Sequence, residues 1–311
     1  MLPTLLLLGQ LSGAPSWSSS RPPECSKADG SLGTNVWDRA KAPEIRVYCD
    51  LLASATSRLV GAGPLSADVL ALAEEATRAM PGRAAPWVLR GRALSRMGRH
   101  PEALTALEEA RKLDERALDE PNALLAWARA NARAGRSQVA EAAYRALLPR
   151  ASQLASADRG PAYLEAGLLL VGRGKESMDD ALAILRQARR EAQDSVQAAS
   201  VVALALALDR DGEHEQARAL IADRAAGDVR RLEAALTHVR VREALAGSPD
   251  PAEEFALRGM LLEDVAPGRA AEAYRGYLEK SKSRRWEAHA RARAEALSGR
   301  ARAMPRAGKE R

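Results

Sequence analysis

Few residues in this chain have the types and spacing that a catalytic or phosphate-binding site would need. The segment that ends in Gly174-Lys175 could suggest a phosphate-binding loop, but Leu169 stands where that loop needs its first glycine. Glu176 stands where a Ser or Thr would hold magnesium. A Gly-x-Ser-x-Gly nucleophile elbow does not occur in the sequence either.

The histidines also indicate structure rather than chemistry. They are His100, His214, His238 and His289. His100 and His214 each follow a glycine by two residues, which predicts a place in a turn. The stretch HEQAR, at 214–218, lacks the second histidine of a zinc-protease helix. We therefore expect no enzyme activity, metal ion, cofactor or small-molecule substrate.

The two cysteines, Cys25 and Cys49, can form a disulfide if the chain reaches an oxidising compartment. The bridge would close a loop of about 25 residues, which stabilises a fold by roughly 3 kcal/mol in the chain-entropy model. The alternative is two unrelated thiols, with Cys49 buried on an apolar helix face.

The N-terminus has the pattern of a secretory signal. Residues 5–11 read LLLLGQL and are followed by small residues, which suits cleavage near Ala14. The run is far shorter than the roughly 20 apolar residues that span a bilayer, and we expect no transmembrane segment. Since no Lys or Arg precedes it, a cytoplasmic protein with a disordered leader is the alternative. We expect a signal peptide at 1–14, a flexible leader at 15–43, and a periplasmic or secreted protein.

Composition favours an all-α fold, with 46% hydrophobic but only 4% aromatic residues. The net charge of +6 arises at one end, because segment 280–311 alone has eleven basic and three acidic residues. Residues 300–311 are expected to form a basic disordered tail.

Apolar residues recur at spacings of three and four, which predicts a series of helices. Gly98, Gly135 and Gly212 are expected to end helices in the left-handed conformation. The predicted helices are 44–60, 66–79, 84–97, 101–114, 121–134, 138–148, 160–171, 178–192, 197–209, 214–224, 228–246, 251–264, 268–280 and 284–299.

Paired helices at a fixed spacing repeat along the chain. Trp87, Gly91, Leu94 and Gly98 are matched 37 residues later by Leu124, Ala128, Asn131 and Gly135. The small residues in each copy would let the two helices of a pair approach closely. The positions expected to pack in this way are Gly91, Ala103, Ala128, Ala140, Gly167, Ala181, Ala205, Ala217 and Gly259.

This pattern resembles the tetratricopeptide repeat (TPR), most clearly in GRHPEALTALEEARKLD and in AAEAYRGYLEKSKSRRWEAHARARAEAL. The resemblance covers about residues 66–299, and the signal-like N-terminus makes the chain look like an exported bacterial member of the family. It implies a right-handed α-α superhelix, a TPR-like solenoid of about five to six hairpins, which we expect over 44–299.

The resemblance also implies a function, that of a non-catalytic scaffold that binds a protein or an extended peptide in a concave groove. The first helix of each pair would line the groove, which places Arg92, Arg96, Arg129 and Arg133 there. Arginine forks bind carboxylates, so the partner could be acidic. Alternatively, Arg92 and Arg129 pair with neighbouring glutamates inside the protein.

The basic C-terminal helix offers a second function, as a contact for nucleic acid or an anionic surface. It carries Arg284, Arg285, Arg291, Arg293, Arg300 and Arg302. Only Trp286 is available for stacking on bases, so the sequence favours a protein partner and a solvated cap helix over a nucleic-acid site.

Overall fold

The computed structural model describes residues 18–19, 21–28, 43–60, 67–225 and 229–303. Across these residues the chain is all α-helical, without β-strands, as predicted. The helices are α1 (Pro23–Ala28), α2 (Pro43–Val60), α3 (Ala67–Ala79), α4 (Ala84–Arg96), α5 (His100–Leu113), α6 (Pro121–Arg133), α7 (Ser137–Leu147), α8 (Ser156–Val171), α9 (Met178–Glu191), α10 (Asp194–Asp211), α11 (His214–Ala225), α12 (Val229–Thr237), α13 (Val239–Ala246), α14 (Glu253–Leu262), α15 (Pro267–Lys280) and α16 (Glu287–Ala303).

Three predicted segments differ from the structure. The single helix expected over 228–246 is divided into α12 and α13, because His238 has an extended backbone (φ −60°, ψ 139°). The expected leader, 15–43, contains the short helix α1, and the expected tail, 300–311, begins inside α16. The expected signal peptide, 1–14, and residues 304–311 lie outside the described residues.

The chain divides into two compact units, Met1–Ala123 and Leu124–Arg311. In the first unit α2 packs on α3 and α4 packs on α5. A Cβ added to Gly91 of α4 would lie 2.5 Å from the Leu107 Cγ of α5, so this contact requires glycine. Ala103 of α5 is completely buried.

The same contact recurs twice in the second unit. A Cβ on Gly167 of α8 would lie 2.5 Å from Leu185 Cδ2 of α9, and a Cβ on Gly259 of α14 would lie 2.8 Å from the Tyr274 ring of α15. Ala128, Ala140, Ala181, Ala205 and Ala217, the other small positions in this unit, are completely buried. The structure therefore places bulky side chains over glycines at matching positions of three hairpins.

Helix α10 lies at the centre of the second unit. Every residue from 201 to 210 is buried, and the helix packs against α8, α9, α11, α12 and α14. This agrees with the apolar run VVALALAL at 201–208, which predicts burial on several sides. Among the described residues, none of the helices combines the length and apolar character that crossing a membrane would need.

The turn glycines confirm the predicted helix ends. Gly98, Gly135 and Gly212 have φ values of +74°, +72° and +100°. In each case the next backbone N–H donates to a carbonyl five residues earlier at 2.9 Å, as in Arg99 to Leu94. The left-handed glycine allows this bond, which satisfies a carbonyl at the end of the helix.

We predict that Gly167→Ala lowers the free energy of unfolding by about 1–3 kcal/mol, because the new methyl group must displace the buried Leu185 side chain. Gly299→Ala in α16 is the matched control, since nothing lies within 4 Å of its added Cβ. It should be neutral or stabilise by up to about 1 kcal/mol. Urea unfolding of both variants tests the prediction, and equal free energies for the two would contradict it.

Candidate functional site

Arg92, in α4, is the first of the four predicted groove arginines. Its Nη1 lies 2.8 Å from Oε1 of Glu120, the residue that precedes α6. The two side chains are only 9% and 13% exposed. A charge pair so far from water needs its remaining polar atoms satisfied, because desolvation of both ions costs several kcal/mol.

Ser19, from the segment before α1, supplies those further bonds. Its backbone N–H donates to Glu120 Oε2 at 2.9 Å, and its hydroxyl donates to the same oxygen at 2.6 Å. Arg92 Nη1 donates to the Ser19 hydroxyl oxygen at 2.9 Å. Ser19 is completely buried. We call Ser19, Arg92 and Glu120 the Ser19 site, and the non-helical residues 18, 19, 21 and 22 the leader segment.

The leader segment is anchored immediately after it ends. Cys25 and Cys49 form a disulfide with a Cα–Cα distance of 5.7 Å, which joins α1 to α2. Tyr48 of α2 donates to Glu24 Oε1 at 3.1 Å. Burial, together with the Glu24 carboxylate, raises the pKa of Tyr48. The first unit therefore holds the leader by a covalent bond and by a polar site on α4.

Arg96 lies one helical turn after Arg92 and is exposed. Its Nη1 donates to the backbone carbonyl of Leu59 in the last turn of α2. A cation at this place suits the negative end of the helix dipole.

Arg129, in α6, is paired inside the second unit. Its Nε donates to Glu165 Oε2 at 2.9 Å, and its Nη2 donates to Glu165 Oε1 at 2.9 Å. Tyr144 also donates its hydroxyl to Glu165 Oε2 at 2.9 Å. Burial opposes the charge on Arg129, but Glu165 outweighs it and raises the pKa of Arg129 above its ordinary value.

Arg133, one turn further along α6, is half-buried. Burial lowers its pKa, and the carboxylates of Glu243 and Glu165 only partly offset that effect.

The structure therefore favours the alternative for Arg92 and Arg129, in which they pair with glutamates inside the protein. The side chains at these two positions are paired with carboxylates, and a role of the four arginines in binding a partner stays a prediction. Sequence reasoning missed both carboxylates, although Glu165 had a signal, because a single charge in the apolar run YLEAGLLLV requires a buried partner. Ser19 had no such signal.

A second polar cluster surrounds Asp209 at the end of α10. His214 Nδ1 lies 2.6 Å from its Oδ1, His289 Nε2 lies 2.9 Å from its Oδ2, and Arg293 Nε lies 3.6 Å from Oδ2. A carboxylate only accepts hydrogen bonds, so His214 Nδ1 carries the proton of the His214–Asp209 hydrogen bond. Burial opposes ionisation of Asp209, but His289, His214 and Arg293 outweigh it and hold its pKa at about 2.

The cluster continues from Arg293 to Glu263 at the end of α14. Arg293 Nε lies 2.9 Å from Glu263 Oε1, and the Tyr274 hydroxyl donates to the same oxygen at 2.8 Å. Burial raises the pKa of Glu263, although Arg293 and Tyr274 favour its charged form. Within the described residues, no group of three or more His, Cys, Asp and Glu side chains is arranged to hold a metal ion.

The basic helix α16 has its own carboxylate partners. Arg291 pairs with Glu287 at 2.6 Å, Arg300 pairs with Asp264 at 3.1 Å, and Arg293 pairs with Glu263. These pairs neutralise much of the charge from which a basic surface was predicted.

No family model matches this chain, and no curated protein matches it. Among solved structures, a tetratricopeptide repeat protein from Parabacteroides merdae is similar, with 17% identity, coverage of 80% of this chain and 99% of that one, and a TM-score of 0.43. Yeast Tom70 has 16% identity, coverage of 90% and 53%, and a TM-score of 0.33. The TPR domain of P58(IPK) has 12% identity, coverage of 83% and 99%, and a TM-score of 0.28.

No functional conclusion about this chain follows from likenesses at these identities and TM-scores. The repeated packing at Gly91, Gly167 and Gly259 within the chain itself carries the assignment. The described residues form an all-α fold of repeated helical hairpins.

We predict that Glu165→Gln lowers the free energy of unfolding by about 3 kcal/mol, because it leaves the buried Arg129 charge without its counter-ion. Glu254→Gln is the control, since it breaks an exposed pair with Arg258 and should cost less than about 0.5 kcal/mol. Chemical denaturation at neutral pH compares the two. A cost for Glu165→Gln as small as that of the control would show that the pair is not desolvated.

Asp209 makes a second prediction, about pH. Its folded pKa is about 2, against an ordinary value of 3.8, so it stabilises the fold above pH 4 by about 2 kcal/mol, and this contribution is lost as the pH falls toward 2. The wild type should therefore lose its advantage over Asp209→Asn between about pH 5 and pH 2. Denaturant titrations at pH 6, 4 and 2.5 measure the difference. Parallel losses of stability in the two proteins would contradict the assignment.

Proposed function

We propose that this chain is a non-catalytic scaffold that binds a partner protein through a non-helical peptide segment. One observation carries the proposal: the first unit already holds a segment of this kind, the leader segment, against α4. The contacts are made to a backbone N–H and one small hydroxyl, which are groups that a serine in an extended peptide can present.

The groups that receive the segment are well suited to peptide recognition. Arg92 lies on a helix whose packing on α5 is fixed at Gly91, and Glu120 directly precedes α6. Because the rest of the fold positions both side chains, little conformational entropy is lost when a peptide binds them. The acidic partner expected from the sequence fits less well, since Arg92 and Arg129 already have carboxylate partners. A polar, uncharged segment fits this site better.

The proposal extends to the compartment, which we propose is periplasmic or extracellular. The Cys25–Cys49 disulfide supports this, because such bonds persist in oxidising compartments and are rare in the cytosol. The signal-like residues 5–11 support it as well.

Binding of nucleic acid or an anionic surface through α16 receives less support. Arg291, Arg293 and Arg300 already have carboxylate partners, which reduces the positive field that such a ligand would meet.

Site-specific photo-crosslinking in the producing cell tests the proposed function. A photoreactive amino acid in place of Arg96, one turn from Arg92 on an exposed position of α4, should give a discrete crosslinked partner protein. The control position is Thr105, exposed on α5, where we expect no such product. The absence of products from both positions, or the same products from both, would contradict a binding surface on α4.

A further inference from the structure

We propose that the Ser19 site is a binding site specific for a seryl residue in a non-helical peptide, and that the chain's own leader segment is its resident ligand. A partner peptide of the same chemistry would then bind by replacing Ser19. This inference rests on the proposed function, and it names the class of ligand and the competitor that controls access.

The preference for serine follows from the three bonds at the site. Two donors converge on one oxygen, Glu120 Oε2, and they come from the backbone N–H and the hydroxyl of the same residue. The hydroxyl oxygen must also accept from Arg92. Alanine and glycine lack the hydroxyl, and proline lacks the N–H.

Steric fit narrows the class further. Ser19 is 0% exposed, so its side chain is enclosed on all sides. The additional methyl group of threonine would have to displace packed atoms. An aspartate or glutamate in this place would bring a second carboxylate against Glu120. The site is therefore selective for a small residue that combines both donors.

The disulfide makes the leader an effective competitor. Ser19 lies six positions before Cys25, which the disulfide joins to α2. A chain of six residues reaches about 20 Å at most, and tethers of this length give effective concentrations in the millimolar range. Without the disulfide, the nearest fixed helix along the chain is α2, which begins at Pro43, 24 residues from Ser19. A fourfold longer tether lowers the effective concentration by on the order of ten-fold.

The test uses a synthetic peptide with the sequence of residues 15–24, PSWSSSRPPE, labelled with a fluorophore, and the full-length protein. Fluorescence anisotropy measures its affinity for the wild type, for Ser19→Ala, and for the double variant Cys25→Ser/Cys49→Ser. Removal of the Ser19 hydroxyl weakens the competing leader, so the Ser19→Ala protein should bind the peptide at least about ten-fold more tightly than the wild type does. The double variant should also bind the peptide more tightly than the wild type does, because its longer tether lowers the effective concentration of the competing leader segment.

A matched peptide with Ala in place of Ser19 tests the chemistry of recognition. It should bind the Ser19→Ala protein at least about ten-fold more weakly than the Ser peptide does. Arg58→Gln breaks an exposed ion pair with Asp68 in the same unit and serves as the protein control. It should leave peptide affinity unchanged.

Equal affinities of the wild type and the Ser19→Ala protein for the peptide would overturn the proposal, as would equal binding of the Ser and Ala peptides. If the wild type were a dimer and the Ser19→Ala protein a monomer, the leader segment of a second copy would occupy the site. That result would overturn the proposal that the chain's own leader segment is the ligand.

The outcomes separate this inference from the proposed function. The crosslinks at position 96 could be identical in the wild type and in the Ser19→Ala protein. That result would support the scaffold function and would contradict competition between the leader segment and a partner. Peptide binding as predicted, without any crosslinked partner in cells, would keep the Ser19 site and remove the proposed function.

Discussion

Close approach of paired helices is the constraint on which the rest of this structure depends. At Gly91, Gly167 and Gly259 a bulky side chain of the second helix lies 2.5–2.8 Å from the position that a Cβ would occupy. The residues next to such a contact are buried together with it. Arg92 directly follows Gly91, and Arg129 directly follows the fully buried Ala128. A charge in this place is tolerated only with a counter-ion and further hydrogen bonds, and Glu120 and Glu165 supply them.

The same reasoning explains why the first unit takes up its own leader. Ser19 donates its backbone N–H and its hydroxyl to Glu120, and Arg92 donates to the Ser19 hydroxyl oxygen, so the leader segment bonds both members of the buried pair. In the second unit the corresponding task falls to a tyrosine, since Tyr144 bonds Glu165 and Tyr274 bonds Glu263. In the first unit a peptide segment completes the ion pair, whereas in the second unit internal side chains do so. The pair in the first unit therefore resembles a binding site.

Helix positions and ends could be predicted from the sequence because local signals set them. The three-and-four spacing of apolar residues and the glycines at 98, 135 and 212 needed no knowledge of distant contacts. The Ser19 site could not be predicted in this way, since Ser19 and Glu120 are 101 residues apart and each is unremarkable in its own segment. The cap helix α16 exposes one face, in keeping with the solvated cap helix expected, but the sequence does not show that Arg293 pairs with Glu263, the residue after α14. Contacts of that range depend on the tertiary fold rather than on periodicity.

Hydrogen exchange at a single amide tests the central claim most directly. The Ser19 N–H should exchange far more slowly than in an unfolded chain, because it is buried and donates to Glu120 Oε2 at 2.9 Å. Replacement of the carboxylate in Glu120→Gln should raise that exchange rate, whereas Arg58→Gln should not. Exchange of the Ser19 amide in the wild type at the rate of a free peptide would contradict the account, because it would show that the leader does not occupy the site on α4.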